Sequence, residues 1–263
     1  MDTVKFGAIT VSKLILGGNP FSGFSHQNRE MDREMVRYFT TARIKETMSH
    51  AEALGVNMFL GRADAHIRRV LLEYWDEGGA IQWFAQTAPE FASLSANVAG
   101  AIGTGASAVY IHGGQMDFFY AQNQLDVVPD IIAMIKAAGR AAGIAAHNPR
   151  VHEWADEHLD LDFHMCSYYN PTSRDEHAEH VHGAVETFAE ADRAAMVDVI
   201  RQLRRPAIHY KIFAAGRNDP REAFAFVAQH LRPQDAVCIG VFPKDKPDML
   251  AEDVRLFTEA MQT

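Results

Sequence analysis

Eight short apolar or β-branched runs alternate with longer stretches of helical spacing, and this alternation constrains the fold more than any other feature of the chain. The runs are "KLILG", "VNMFL", "IQWFA", "SAVYI", "GIAA", "LDFHMCS", "AIHYKI" and "AVCIG". Helical periodicity is expected over residues 31–54, 67–77, 93–103, 127–142, 150–158, 190–203, 221–230 and 247–261. A hairpin of "VKFGAIT" with "VSKLI" is expected at the N-terminus, and no low-complexity tract or charge block interrupts the units. Glycines at 55, 103, 105 and 143 are expected to end helices, because glycine takes the left-handed cap conformation without a Cβ clash. Eight βα units with right-handed crossovers close naturally into an α/β (β/α)8 TIM barrel, here with an N-terminal hairpin and residues 1–263 as one domain. The alternative is a doubly wound open sheet. Against it, "GGNPFSG" after the first run is no GxGxxG and does not open directly into a helix.

Composition narrows the function classes. A net charge of −9 disfavours nucleic acid and anionic membrane surfaces as partners. No apolar run approaches a bilayer-spanning length, and the N-terminal residues lack the basic and apolar regions of a signal peptide. The two cysteines, Cys166 and Cys238, lie in separate apolar runs without CxxC spacing, which fits buried thiols in a reducing compartment. A cytoplasmic protein with a small-molecule substrate is expected; the oligomeric state is left open.

In a barrel of this kind chemistry sits at the C-terminal strand ends. Those positions carry Asn19, then Asp64 and His66, Gln86, His112, His147 with Asn148, Cys166 with Asn170, and Tyr210, Lys211 and Arg217; the last strand leads to Lys244 and Lys246. One histidine at a strand end is ordinarily a hydrogen-bonded loop anchor. Histidines after the second, fourth and fifth runs together point to a site.

These segments resemble the aldo-keto reductases. "VSKLILGGNPF" is similar to the family's first strand, "AEALGVNMFLGRADAH" to its "A…GINFFDTADxYG" segment, and "AVYIHGG" to its fourth strand. "GIAAHNP" resembles its "GVSN" end, "CSYYNP" its "QxxYNP" end, "IHYKIFAAGR" its "xAYSPLGxG" and "PDMLAEDVRLF" its closing "PEHLEENxxAL". The likeness runs through nearly the whole chain in order and implies the same barrel. It also implies a site of Asp, Tyr, Lys and His that reduces a carbonyl with nicotinamide hydride. Here the Asp position is Gly61, the Tyr position His66 and the Lys position Gln86 or Thr87; His112 alone matches. The nicotinamide-amide pair corresponds to His147–Asn148 and its Gln to Cys166; Tyr210 matches the stacking aromatic, and Met249 stands where the adenosine-phosphate clamp has Arg.

With the reductase set largely replaced, non-redox acid–base chemistry on a small polyhydroxy carbonyl, sugar-like compound is expected: a lyase, aldolase, epimerase or isomerase. His112, Lys211, His66 and Asp64 are the candidate catalytic residues, with Lys211 as base or Schiff-base nucleophile. Asn19, Asn148, Asn170, Tyr210, Arg217 and Lys244 are candidates for substrate binding. His66, His112, His147 and Cys166 are types that bind a divalent metal such as zinc, manganese or iron, and NAD(P) is the lesser expectation. Two alternatives stay open: an NAD(P)H-dependent reductase with a variant tetrad, and a binding barrel that has lost catalysis. Lys244 and Lys246, with Arg217, fall where barrels commonly bind phosphate, though a solvated "FPKDKPD" loop explains the lysines equally well. "GGQMDFFYAQN" is read as a pocket wall or rim packing, and "RDEHAEHVHG", with His177, His180 and His182, as a solvated lid loop.

Overall fold

The computed structural model describes residues 1–174, 176–178 and 186–262. Strands β1 (Thr3–Phe6) and β2 (Ile9–Ser12) pair antiparallel as a hairpin outside the barrel. The barrel strands are β3 (Leu14–Gly17), β4 (Met58–Arg62), β5 (Gln82–Gln86), β6 (Ala108–Ile111), β7 (Ala141–Ala146), β8 (Phe163–Ser167), β9 (Ala207–Tyr210) and β10 (Ala236–Gly240). They run parallel in sequence order, and β10 closes on β3 through Val237–Leu14 to Gly240–Gly17. The helices are α1 (Arg29–Tyr38), α2 (Thr41–Ala53), α3 (Ala65–Asp76), α4 (Leu94–Thr104), α5 (Gly113–Ala121), α6 (Val128–Ala137), α7 (Pro149–His158), α8 (Glu190–Ile200), α9 (Pro220–His230) and α10 (Met249–Ala260). The chain is a closed (β/α)8 barrel.

Strand residues alternate between two apolar shells. Inward-facing Ile15, Met58, Leu60, Phe84, Tyr110, Phe163, Met165 and Ile208 fill the barrel, while Leu16, Phe59, Trp83, Val109, Ile144 and Cys166 pack under the helices. The hairpin closes the N-terminal end. Phe6 enters the barrel and stacks on Phe163 with ring centroids 5.6 Å apart. Its complete burial is worth about 2 kcal/mol.

The structure departs from the sequence reading in four places. The hairpin is shorter than expected, because "KLILG" belongs to the barrel rather than to the hairpin. The helix expected over 31–54 is two helices. Its break falls at Phe39–Thr40, where the Thr40 hydroxyl caps α2 by accepting from Arg43 N at 3.3 Å. The "GGQMDFFYA" stretch is a helix of its own, α5, and α6 ends at Ala137, with Gly139 at φ +69° just beyond it. Gly143 is therefore no cap. It lies in β7, where a Cβ would stand 2.6 Å from the Phe163 ring, so only glycine lets that ring fill the barrel.

Candidate active site

Strand parity decides which polar side chains reach the C-terminal mouth. On β4, Met58 and Leu60 face inward, so Arg62 does too; on β5 Phe84 leads to Gln86, and on β9 Ile208 leads to Tyr210. These residues line a cavity of about 280 Å³ together with Asn19, His26, His112, His147, Arg174 and Lys211. They come from the C-terminal ends of seven of the eight barrel strands, β3 to β9, and the loops that follow them.

Two histidines in the wall are each backed by a carboxylate. Asp117, in the first turns of α5 and 6% exposed, accepts from His147 Nδ1 at 2.7 Å and from the backbone N–H groups of His147 and Asn148 at 3.1 Å. A carboxylate only accepts, so Nδ1 carries the proton and Nε2 of His147 is left with a lone pair. Burial pushes the His147 imidazole toward its neutral form, and Asp117 opposes that shift. On the other side, Glu186 accepts from His26 Nδ1 at 2.9 Å. His26 Nε2 accepts from Lys211 Nζ at 3.0 Å and faces Asn19 Nδ2 at 3.5 Å. Glu186, His26 and Lys211 form one hydrogen-bonded line from three loops. Burial pushes the Lys211 ammonium down to about 8; Glu186 favours its charge, and Arg174 and Arg217 oppose it.

His112 stays neutral, held well below the usual imidazole range chiefly by burial and then by His147 and the nearby cations. Its Nδ1 is buried with no hydrogen-bond partner among the described residues. Its backbone N–H donates to Thr87 Oγ1 at 2.9 Å, which fixes the start of α5. Tyr210 is half-buried, and loss of solvent raises its phenol above the ordinary range. The floor beside it is Gly113, where a Cβ would stand 3.1 Å from the Tyr210 hydroxyl and 3.2 Å from the His147 ring.

Of the sequence candidates, Asn19, His112, His147, Tyr210 and Lys211 come together in this cavity. The others lie elsewhere. Asp64 caps α3, accepting from Ile67 N at 2.9 Å, and His66 is exposed on the first turn of that helix. Asn148 caps α7, accepting from Arg150 N at 3.1 Å, and exposed Asn170 bonds through its backbone to Asp192. Cys166 faces the helix layer, because Phe163, Met165 and Ser167 take the inward positions of β8. Arg217 donates to the carbonyls of His26 and Ala214, and Lys244 pairs with Glu34 on the surface. Lys246 pairs with Glu252. Of the "RDEHAEHVHG" segment, His177 is exposed, while His180 and His182 lie outside the described residues. Sequence reasoning missed His26, Arg62, Asp117, Arg174 and Glu186 as members of the site.

Neither expected cofactor fits these positions. Of the four candidate metal ligands only His112 and His147 line the cavity. Among the described residues no group of three His, Cys, Asp or Glu side chains is arranged to hold an ion. Of the positions matching the nicotinamide site, Tyr210 and His147 line the cavity, but Cys166 points away and the Asn148 side chain caps a helix. Met249 packs its sulfur on the Phe242 N–H at 3.3 Å.

No family model and no curated protein matches the chain. Solved structures do. A Pseudomonas aeruginosa protein assigned to the aldo-keto reductases superposes with a TM-score of 0.68 at 16% identity, covering 98% of this chain and 96% of its own. The holo form of an aldo-keto reductase from Bacillus halodurans gives 0.65 at 12% identity, covering 100% and 94%. A truncated 3-deoxy-D-arabino-heptulosonate 7-phosphate synthase from Thermotoga maritima gives 0.56 at 13%, covering 99% and 89%. The protein is an aldo-keto-reductase-like barrel in fold. Function rests on the cavity itself.

Proposed function

We propose that the chain is a non-redox enzyme that moves a proton beside the carbonyl of a small, sugar-like polyhydroxy compound. The observation that carries this reading is that His147 and Lys211 line one cavity, each in a hydrogen-bonded line that ends on a carboxylate. His147 Nε2 takes the proton from the carbon next to the carbonyl, and Asp117 stabilises the imidazolium that forms. Lys211 donates a proton to the carbonyl oxygen, and His26 with Glu186 holds its amine in place. A neutral imidazole base and a lysine of lowered basicity on one small substrate are the equipment of enolisation. Return of the proton to the former carbonyl carbon gives an isomerase, and its return to the other face of the same carbon an epimerase. If the proton is taken from a β-hydroxyl instead, the bond between the α and β carbons breaks to an enolate and a second carbonyl; the enolate is then protonated, and the reaction is that of an aldolase. A second reading, in which the Lys211 amine attacks the carbonyl to form an imine, draws on its depressed basicity.

No step is assigned to a metal or to a nicotinamide, since the residues that would hold either do not converge. We place the protein in the cytoplasm, in keeping with its two free, buried cysteines. Among the described residues no helix is long and apolar enough to cross a membrane.

The test is deuterium exchange. Small sugars and oxo acids incubated with the protein in D2O are followed by proton NMR for loss of the C–H signal beside the carbonyl. Exchange by the native protein, lost in His147→Gln, supports the reading. Exchange unchanged in that variant contradicts it. Borohydride trapping of a Lys211 adduct separates the imine route from the acid–base route.

A further inference from the structure

Outside the cavity, in the layer between the barrel and α7, His152 and His164 are fully buried with their Nδ1 atoms 3.2 Å apart. His152 Nε2 donates to Ala146 O at 3.3 Å. A carbonyl oxygen only accepts, so His152 carries its proton on Nε2. Burial pushes both imidazoles toward their neutral forms, with one proton on each ring. Nδ1 of His152 therefore keeps its lone pair and accepts from Nδ1–H of His164. That leaves a lone pair on His164 Nε2. This atom faces Asp156 Oδ1 at 3.5 Å and has no hydrogen-bond partner among the described residues. Asp156 takes its donors from Arg204 instead, the Nε at 2.9 Å and the backbone N–H at 3.2 Å. The proton order is thus fixed, and it runs from His164 through His152 to Ala146 O.

Ala146 O and His147 N belong to one trans peptide, whose C=O and N–H point in opposite directions. Asp117 of α5 accepts from that N–H, and His152 of α7 donates to that carbonyl. The two helices therefore grip the peptide that leaves β7 from both of its edges, and the His147 side chain projects from that grip into the cavity. We propose that His152 is a positioning residue for His147: together with Asp117 it fixes the Ala146–His147 peptide, and His164 keeps the His152 proton on the nitrogen that makes the bond. This rests on the reading of His147 as the base of the proposed reaction. His152 does not line the cavity, so it acts on the site through the backbone.

Amide hydrogen exchange of the full chain, followed by NMR for the native protein, His152→Phe and His152→Gln, tests the grip. Phenylalanine fills the space of the ring without a donor, whereas glutamine places an NH2 where Nε2 stands. His152→Phe is expected to lower protection of the His147 amide about tenfold beyond any change at the Val237 amide, which donates to Lys13 O elsewhere in the barrel. His152→Gln is expected to restore it. The rate of C–H exchange on dihydroxyacetone in D2O is expected to fall in the first variant at unchanged KM and to return in the second. Native protection at His147 in His152→Phe, or an equal loss at His147 and Val237, overturns the proposal. So does C–H exchange that keeps its native rate while the His147 amide loses protection. The native protein supplies a check that needs no variant. Long-range proton–nitrogen correlation is expected to find His152 protonated on Nε2 and His164 on Nδ1, and His152 protonated on Nδ1 alone overturns the grip. A His147 amide that responds as expected, in a protein that exchanges no proton on dihydroxyacetone or the oxo acids, contradicts the acid–base reading and leaves the grip standing.

Discussion

Lys211 Nζ lies 3.0 Å from His26 Nε2, and both residues hold left-handed backbone, at φ +60° and +55°. For a residue with a Cβ that conformation costs on the order of 1–2 kcal/mol, and it persists where surrounding contacts hold it in place. Here Arg217 supplies those contacts. It donates to His26 O at 3.2 Å and to Ala214 O at 3.0 Å, and its guanidinium lies 4.4 Å over the Phe188 ring. The Lys211–His26 pair is thus held from outside the cavity by a residue that does not line it.

Arg217→Lys is expected to lower the exchange rate at least tenfold while changing substrate affinity little. A lysine lacks the second nitrogen that also donates to His26 O and the flat face that lies over Phe188, so the His26 and Lys211 loops relax without loss of the cavity wall. The split between turnover and KM measures this, and an equal fall in both rate and affinity counts against a positioning role.

Lys211 is expected to react with amine-modifying reagents at lower pH than the surface lysines, with labelling rising through about pH 8. Glu186 favours the charged amine, so Glu186→Gln is expected to move that midpoint downward. The same shift gives a stability slope. The unfolded lysine holds its proton up to about pH 10.4 and the folded one releases it near 8. The unfolded state therefore binds more protons between those values, and stability rises with pH across that window. Quantitative mass spectrometry of labelled peptides reads the midpoint for each form.

Asp117→Asn is expected to slow exchange by about 10²- to 10⁴-fold and to destabilise the fold by about 2 kcal/mol. The amide cannot accept from all three N–H groups of His147 and Asn148, and it loses hold of the His147 tautomer. Urea unfolding and the exchange assay read the two effects separately.

Gly113→Ala is expected to block the cavity floor. Its methyl would enter between the Tyr210 hydroxyl at 3.1 Å and the His147 ring at 3.2 Å. His66→Ala and Lys244→Ala, by contrast, are expected to leave exchange within twofold of native and stability within about 0.5 kcal/mol, since both side chains are on the surface. A large loss in His66→Ala would return that histidine to the chemistry.

The barrel was legible because alternation of apolar runs and helical stretches is a property of the whole chain. The site was legible only at strand ends, and there parity was the unused signal. Counting from Phe163 reaches Ser167 and not Cys166, and counting from Met58 reaches Arg62, the last residue of β4, with Asp64 beyond the strand end. Polar residues just past a strand also have a second use that the sequence does not separate from catalysis: Asp64 and Asn148 cap the next helix. His26, Arg174 and Glu186 enter from loops distant in sequence. Asp117 lies in the stretch read as a pocket wall or rim packing, which the structure shows as α5, so its approach to His147 is set by tertiary packing alone.

The measurement that bears most directly on the central claim offers the protein one small oxo acid in D2O, with and without NADPH, and follows both the carbon-bound protons and the nicotinamide absorbance. The account predicts exchange beside the carbonyl that needs no nicotinamide and no consumption of NADPH. Stoichiometric NADPH oxidation with no exchange in its absence would contradict it and return the cavity to carbonyl reduction.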